Sequence, residues 1–117
     1  METIESIKEK YVLYIQQHAA AYNEGSAKVA NRIHKKIMLL AQKAKKTNQM
    51  DSLLPFLENE NEDVRLWTAS IFLQTYPETV LIVLNKLTES TNYDISFKAK
   101  GIVDMYKKGI WEKVAIM

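Results

Sequence analysis

The sequence predicts an all-α fold, and three observations carry that prediction. Apolar residues recur at helical spacing in six successive segments. Only three glycines and two prolines stand among 117 residues, which leaves little room for β-turns. The stretch from Leu53 to Leu87, LLPFLENENEDVRLWTASIFLQTYPETVLIVLNKL, reads as a short helix, a polar turn and two further apolar helices. Chains that stack helix pairs into a solenoid show this pattern, and such solenoids bind more often than they catalyse. The expectation is a single domain over residues 1–117, with six or so helices packed as pairs in a short right-handed array.

The first helix is expected from Thr3 to Tyr22. Ile4, Ile7, Tyr11, Tyr14, Ile15, His18, Ala19 and Tyr22 follow the i, i+3, i+4, i+7 rule and form one inward stripe. Glu24-Gly25-Ser26 breaks it, because Gly25 accepts a left-handed backbone and Ser26 can cap the next helix. The second helix is expected from Ser26 to Lys46. At about 100° per residue, Ala30, Ile33, Ile37, Leu40, Ala41 and Ala44 share its inner face. Lys28, Arg32, Lys35, Lys36, Lys43 and Lys46 share the outer face, with Leu39 exposed among them. Asn48 is a candidate for the left-handed stop.

Asp51 can cap a short third helix, Ser52 to Glu58. The fourth comes after the turn at Glu58–Asn61, opens on Asp63 as its cap and runs to Tyr76. It is apolar on two sides and so belongs between neighbours: Val64, Trp67 and Ile71 point one way, Leu66, Ala69, Leu73 and Tyr76 another. Pro77 suits the first turn of a fifth helix, whose core face is Val80, Leu81, Val83, Leu84 and Leu87. Asp94 can cap a sixth, with Ile95, Ala99, Ile102, Val103 and Tyr106 inward and Gly109 ending it. The apolar tail Ile110–Met117 is expected to pack back. An internal repeat supports the scheme: Asp63-Val64-Arg65-Leu66 aligns with Asp94-Ile95-Ser96-Phe97 at an offset of 31 residues, which also maps Ile71 onto Ile102 and Phe72 onto Val103.

At Leu53–Leu73 the pattern LLPFL…EDVRLWTASIFL resembles a HEAT-type repeat unit. More narrowly, the chain resembles a small bacterial HEAT-like family catalogued as a domain of unknown function. The matching pieces are Ala30-Asn31-Arg32 to Lys36-Ile37, ENEDVRLWTAS with its Tyr-Pro-Glu helix restart, and Ser96-Phe97-Lys98-Ala99-Lys100 leading to Tyr106-Lys107-Lys108-Gly109. Together they cover most of the chain, and they are motifs of packing residues. Thr68 departs from the pattern, where an alanine commonly comes after the tryptophan; the departure bears on packing. Members of that family often lie beside polymorphic toxin genes, so the resemblance implies an immunity protein that binds a cognate toxin domain. It carries no catalytic residue over.

Composition narrows the chemistry. The chain has no cysteine, which excludes disulfides, thiolate metal sites and cysteine nucleophiles. No apolar run approaches the ~20 residues of a membrane span. METIESIKEK is charged and lacks a signal-peptide core, so a mature cytosolic start is expected. Two histidines on different helices are too few for a histidine metal site: His18 reads as a packing residue and His34 as solvated. No phosphate loop, nucleophile elbow or zinc-protease motif is present, so no cofactor, metal or catalytic residue is assigned and the protein is read as no enzyme. Asp63 and Arg65 invite an active-site reading, but a helix cap and a bridge to the neighbouring repeat explain them more simply. Trp67 reads as core. Trp111 is either a lid over the core or a partly exposed anchor.

Charge is the remaining clue. From Gly25 to Lys46 there are seven basic residues and no acid; from Asp51 to Asp63 there are five acids and no base. The turn with Glu58, Glu60, Glu62 and Asp63 can complement a helix dipole, or it can mimic nucleic acid and meet the basic cleft of a nuclease toxin. The face with Lys28, Arg32, Lys35 and Lys36 can be merely solvated, meet a protein, or meet phosphates, though no aromatic is interleaved for base stacking. These residues and Trp111 are the candidate partner contacts. The leading expectation is a cytoplasmic toxin-binding immunity protein, monomeric or weakly self-associating. A nucleic-acid-binding protein and a non-catalytic scaffold are the alternatives.

Overall fold

The computed structural model describes residues 2–110, and there the chain is all helical. Five α-helices lie in order: α1 (Ile4–Asn23), α2 (Ala27–Lys46), α3 (Glu62–Phe72), α4 (Pro77–Leu87) and α5 (Tyr93–Lys107). A 3₁₀ helix, Met50–Glu58, stands between α2 and α3. No strand occurs among the described residues. The chain divides between Pro55 and Phe56 into two compact units. The expected tail packing and Trp111 lie outside the described residues.

The first unit is built on a hairpin of α1 and α2. Thr3 starts α1 by accepting the Ser6 N–H at 3.1 Å. Ile7, Tyr11 and Ile15 are buried, and so are all six residues assigned to the inner face of α2. Burying a side chain of this size is worth about 1.5–3 kcal/mol, so this strip outweighs any single surface pair in the unit. Tyr22, expected inward, is 50% exposed. The start of α2 that comes next is exposed as well, at Ala27, Lys28 and Val29.

Both helices stop by the same device. Gly25 (φ 77°) and Asn48 (φ 58°) adopt the left-handed backbone. The next residue's N–H then reaches five residues back, Ser26 to the Ala21 carbonyl at 3.0 Å and Gln49 to the Ala44 carbonyl at 2.8 Å. This closes the otherwise orphaned carbonyls of the final turn. Gly109 (φ 74°) ends α5 likewise, with Ile110 bonded to the Met105 carbonyl. Ser26 occupies the N-cap position of α2, as expected, but its side chain makes no capping bond.

The second unit packs α3 against both α4 and α5, and α4 against α5. Val64, Leu66, Ala69, Ile71, Phe72 and Leu73 are buried, as are Val80, Leu84, Leu87, Ile95 and Ala99. Burial on two sides of α3 accords with the sequence pattern, though Trp67 is only half-buried. Thr68 is fully buried, and its hydroxyl donates to the Val64 carbonyl one turn back at 2.7 Å. The extra polar atom therefore brings its own partner, which is how threonine fits where alanine would be simpler.

The expected aspartate caps are corrected. Asn61, not Asp63, caps α3, accepting the Asp63 and Val64 N–H groups at 2.8 and 3.2 Å. Asn92, not Asp94, caps α5, accepting from Asp94 and Ile95 at 3.0 and 3.4 Å. Each aspartate sits two residues inside its helix, where its charge meets the positive end of the dipole. A preceding side chain also closes each turn: Asn59 accepts the Asn61 N–H at 2.9 Å, and Ser90 accepts the Asn92 N–H at 3.0 Å. The cap and its turn thus repeat at the offset of 31 seen in the sequence. The third helix is also corrected: it is 3₁₀, contains Pro55 and starts at Met50, so Asp51 lies in its first turn. Proline denies the i−4 bond that an α-helix needs. α3 ends at Phe72, short of Tyr76.

Because the asparagines satisfy N–H groups that no aspartate reaches, Asn61→Ala and Asn92→Ala should each cost about 1 kcal/mol in urea unfolding. A loss at Asp63→Ala larger than at Asn61→Ala would contradict this assignment.

Candidate functional site

Two charged surfaces and one aromatic surface stand out, each within a single unit. On α2, Lys28, Arg32, Lys35, Lys36, Lys43 and Lys46 are all exposed, on the side opposite the buried strip. Leu39 is exposed among them, as its place in the pattern requires. The face is not uniformly available charge. Glu2 accepts from both Lys10 and Lys43, the latter at 3.0 Å. Lys36 lies over the Tyr14 ring, 5.6 Å from its centroid. The bonds from Lys10 first, then Lys43 and Ser6, push the Glu2 carboxyl down to about 2 from an ordinary 4.5.

The acidic turn divides by role. Glu58 and Glu60 are exposed. Glu62 is engaged within the fold: it accepts the Ser90 hydroxyl at 2.9 Å and lies 3.8 Å from the Arg65 guanidinium. Arg65 therefore pairs within its own helix, where a bridge to the neighbouring repeat was expected. It is Glu62 that links α3 to the turn before α5. The Arg65 Nε atom is buried without a hydrogen-bond partner. Asp63 is half-buried, and its carboxyl is pushed up, chiefly by desolvation. Lys98 opposes that rise, while Asp94 and Glu62 add to it. Lys98 itself pairs with Asp94 at 3.0 Å.

The third surface was not assigned from sequence. Tyr93 and Phe97 stack on the outside of α5, with ring centroids 6.0 Å apart and planes 22° from parallel. Tyr93 is 78% exposed and Phe97 62%. The repeat had aligned Phe97 with Leu66, which is 7% exposed, so the alignment pointed inward. The available signal was helical phase: at about 100° per residue, Tyr93 and Phe97 oppose Ile95, Ala99 and Ile102.

The α1–α2 hairpin also brings His18 and His34 together, with ring centroids 6.2 Å apart. His34 is half-buried there, where a solvated position was expected. Among the described residues, no three histidine, aspartate or glutamate side chains form a group able to hold a metal ion. No helix among them is long and apolar enough to cross a membrane. Compared with known protein families, curated proteins and solved structures, the chain has no match in any of the three.

Two carboxyls give pH effects of opposite sign. The Glu2 carboxyl is lowered by folding, so its stabilising contribution is present above its ordinary value of 4.5 and is lost as pH falls through about 2. A carboxyl-resolved NMR titration should place the Glu2 midpoint near 2 and return it toward 4.5 when Lys10 and Lys43 are both replaced by methionine. For Asp63 the folded value lies above the unfolded one, so the charged form is disfavoured, with no cost below both values and the full cost above both. The stability of Asp63→Asn relative to wild type should rise in urea unfolding as pH increases through and beyond the ordinary carboxyl value of 3.8. A pH-independent difference between the two proteins would contradict the burial argument.

Proposed function

We propose that this protein is a non-catalytic binding protein of the immunity type, which neutralises a cognate bacterial toxin, a nuclease, by covering its active or substrate-binding site. In this reading the helix pairs are HEAT-like repeats and the protein acts in the cytoplasm. The observation that carries the reading is the turn before α3. Its backbone is held by the Asn59 and Asn61 side chains, while Glu58 and Glu60 project to solvent. A fixed pair of outward carboxylates loses little entropy on meeting a cationic cleft, and complementary charge speeds encounter. The resemblance to a toxin-associated helical family supports the same reading. No cofactor takes part in it.

The test is co-expression with the toxin encoded beside this protein's own reading frame. Cells should survive, and the two proteins should copurify. Absence of such a toxin, or failure to protect, would sink the proposal. Glu58→Gln with Glu60→Gln should slow association about tenfold at low salt and leave dissociation little changed.

A second reading is favoured by one observation, the exposure of six cations on one face of α2. Facing a nucleic acid, that face would give binding that weakens steeply with salt. Gel shifts of DNA and RNA at low salt with no retardation would dispose of it.

A further inference from the structure

The outer side of α5 carries a bump and a hollow one turn apart. The Tyr93 and Phe97 rings are stacked there and open to solvent. Gly101 comes one turn after Phe97 and is exposed too, so the three residues form one stripe along the helix. The backbone of Gly101 is not left-handed, and a Cβ built on it meets nothing within 4 Å. Neither backbone nor space therefore calls for glycine, and alanine would favour the helix more. What the glycine does is leave a hollow beside a protruding ring.

Charge along the same helix runs in an order that suits a reversed copy of itself. Asp94 stands in the first turn, Lys107 in the last, and Lys108 at the C-cap. At about 100° per residue, both lysines flank the stripe. A partner of one charge sign would be drawn to one end of the stripe and repelled at the other. A second α5 running the opposite way meets the opposite sign at both ends, and its helix dipole opposes the first. Asp94 already pairs with Lys98 and Lys108 with Asp104, so these charges set direction and the rings make the contact.

We propose that the stripe Tyr93–Phe97–Gly101 is where two copies of this protein pair, α5 against α5, antiparallel about a two-fold axis. Phe97 of each copy sits over Gly101 of the other, so bump and hollow close on themselves. That register brings Tyr93 level with Met105 of the second copy, about 3 Å along the helix from its Lys107. The inference goes beyond the toxin-binding reading and does not rest on it. With 15 residues, α5 is about 22 Å long. One face of such a helix buries less than the roughly 1,200 Å² at which stable interfaces begin, so the pair is weak. Its Kd is on the order of 0.1 mM.

Sedimentation equilibrium of the full chain, from about 10 µM to about 1 mM, spans that Kd and tests the proposal. Wild type should pass from monomer to dimer across the range. Phe97→Ala should weaken the dimer about tenfold. Gly101→Gln fills the hollow with a better helix former, so it should lose the dimer without a fall in Tm, and loss of fold is no explanation. Asp94→Lys, and Lys107→Glu with Lys108→Glu, should each weaken pairing alone, and mixing the two variants should restore it. A wild type still monomeric at about 1 mM overturns the proposal. So does a dimer that Phe97→Ala and Gly101→Gln leave unchanged, or charge variants that pair no better mixed than alone. Monomeric wild type whose Phe97→Ala variant binds the toxin more weakly would give the stripe to that partner and overturn it as well.

Discussion

In the second unit two asparagine side chains turn the chain and start a helix in the same step, at the head of α3 and of α5. Asn61 and Asn92 each take up two N–H groups that α3 and α5 would otherwise leave bare. The side chain just before each, Asn59 or Ser90, closes the turn from the other side. With no cysteine in the chain to cross-link it, these short polar closures set where α3 and α5 begin. The starting point sets the helical phase, and the phase decides that Val64 and Ile95 are buried while Tyr93 is not. With Asn92 as the cap, Tyr93 is the first residue of α5 and lies one turn from Phe97 on its outer face.

Most of the helical layout was legible because it rests on periodicity. All six residues assigned to the inner face of α2 are buried, and Leu39 is exposed as expected. The stops at Gly25, Asn48 and Gly109 were legible because few residues tolerate a positive φ. Cap identity was not legible at the same grain. Asn61-Glu62-Asp63 offers three residues with oxygen-bearing side chains, and only the backbone angle at Asn61 (ψ 124°) decides which one stands outside the helix. Pro55 announced a short helix without announcing that it would be 3₁₀. The candidate surface was legible in part. Charge runs are visible in a sequence, so Glu58, Glu60 and the lysines of α2 were singled out. An exposed aromatic pair looks like core until the helix phase is known, so Tyr93 and Phe97 were missed.

The two units differ in sign as well as in composition. Up to Pro55 the chain has nine basic and five acidic residues; from Phe56 onward it has seven and nine. Near-neutral net charge therefore hides a basic first stretch and a mildly acidic second one. Some of that charge is spent internally. Glu2 neutralises part of the basic face through Lys43, and Glu62 serves Ser90 and Arg65. Among the exposed side chains of the second unit are Glu58 and Glu60 on a braced turn, and two aromatic rings on α5. Charge that steers and rings that hold are the two ingredients of a protein-binding surface.

The bond between Glu62 and Ser90 has a kinetic meaning. Helix packing between chain neighbours forms early and fast, because each loop to be closed is short. The Glu62–Ser90 bond instead joins residues 28 apart and needs α3, α4 and the turn before α5 already in place. Such a contact belongs on the native side of the folding barrier. Its contribution, about 1 kcal/mol for a bond of this kind, would act on the unfolding rate and little on the folding rate.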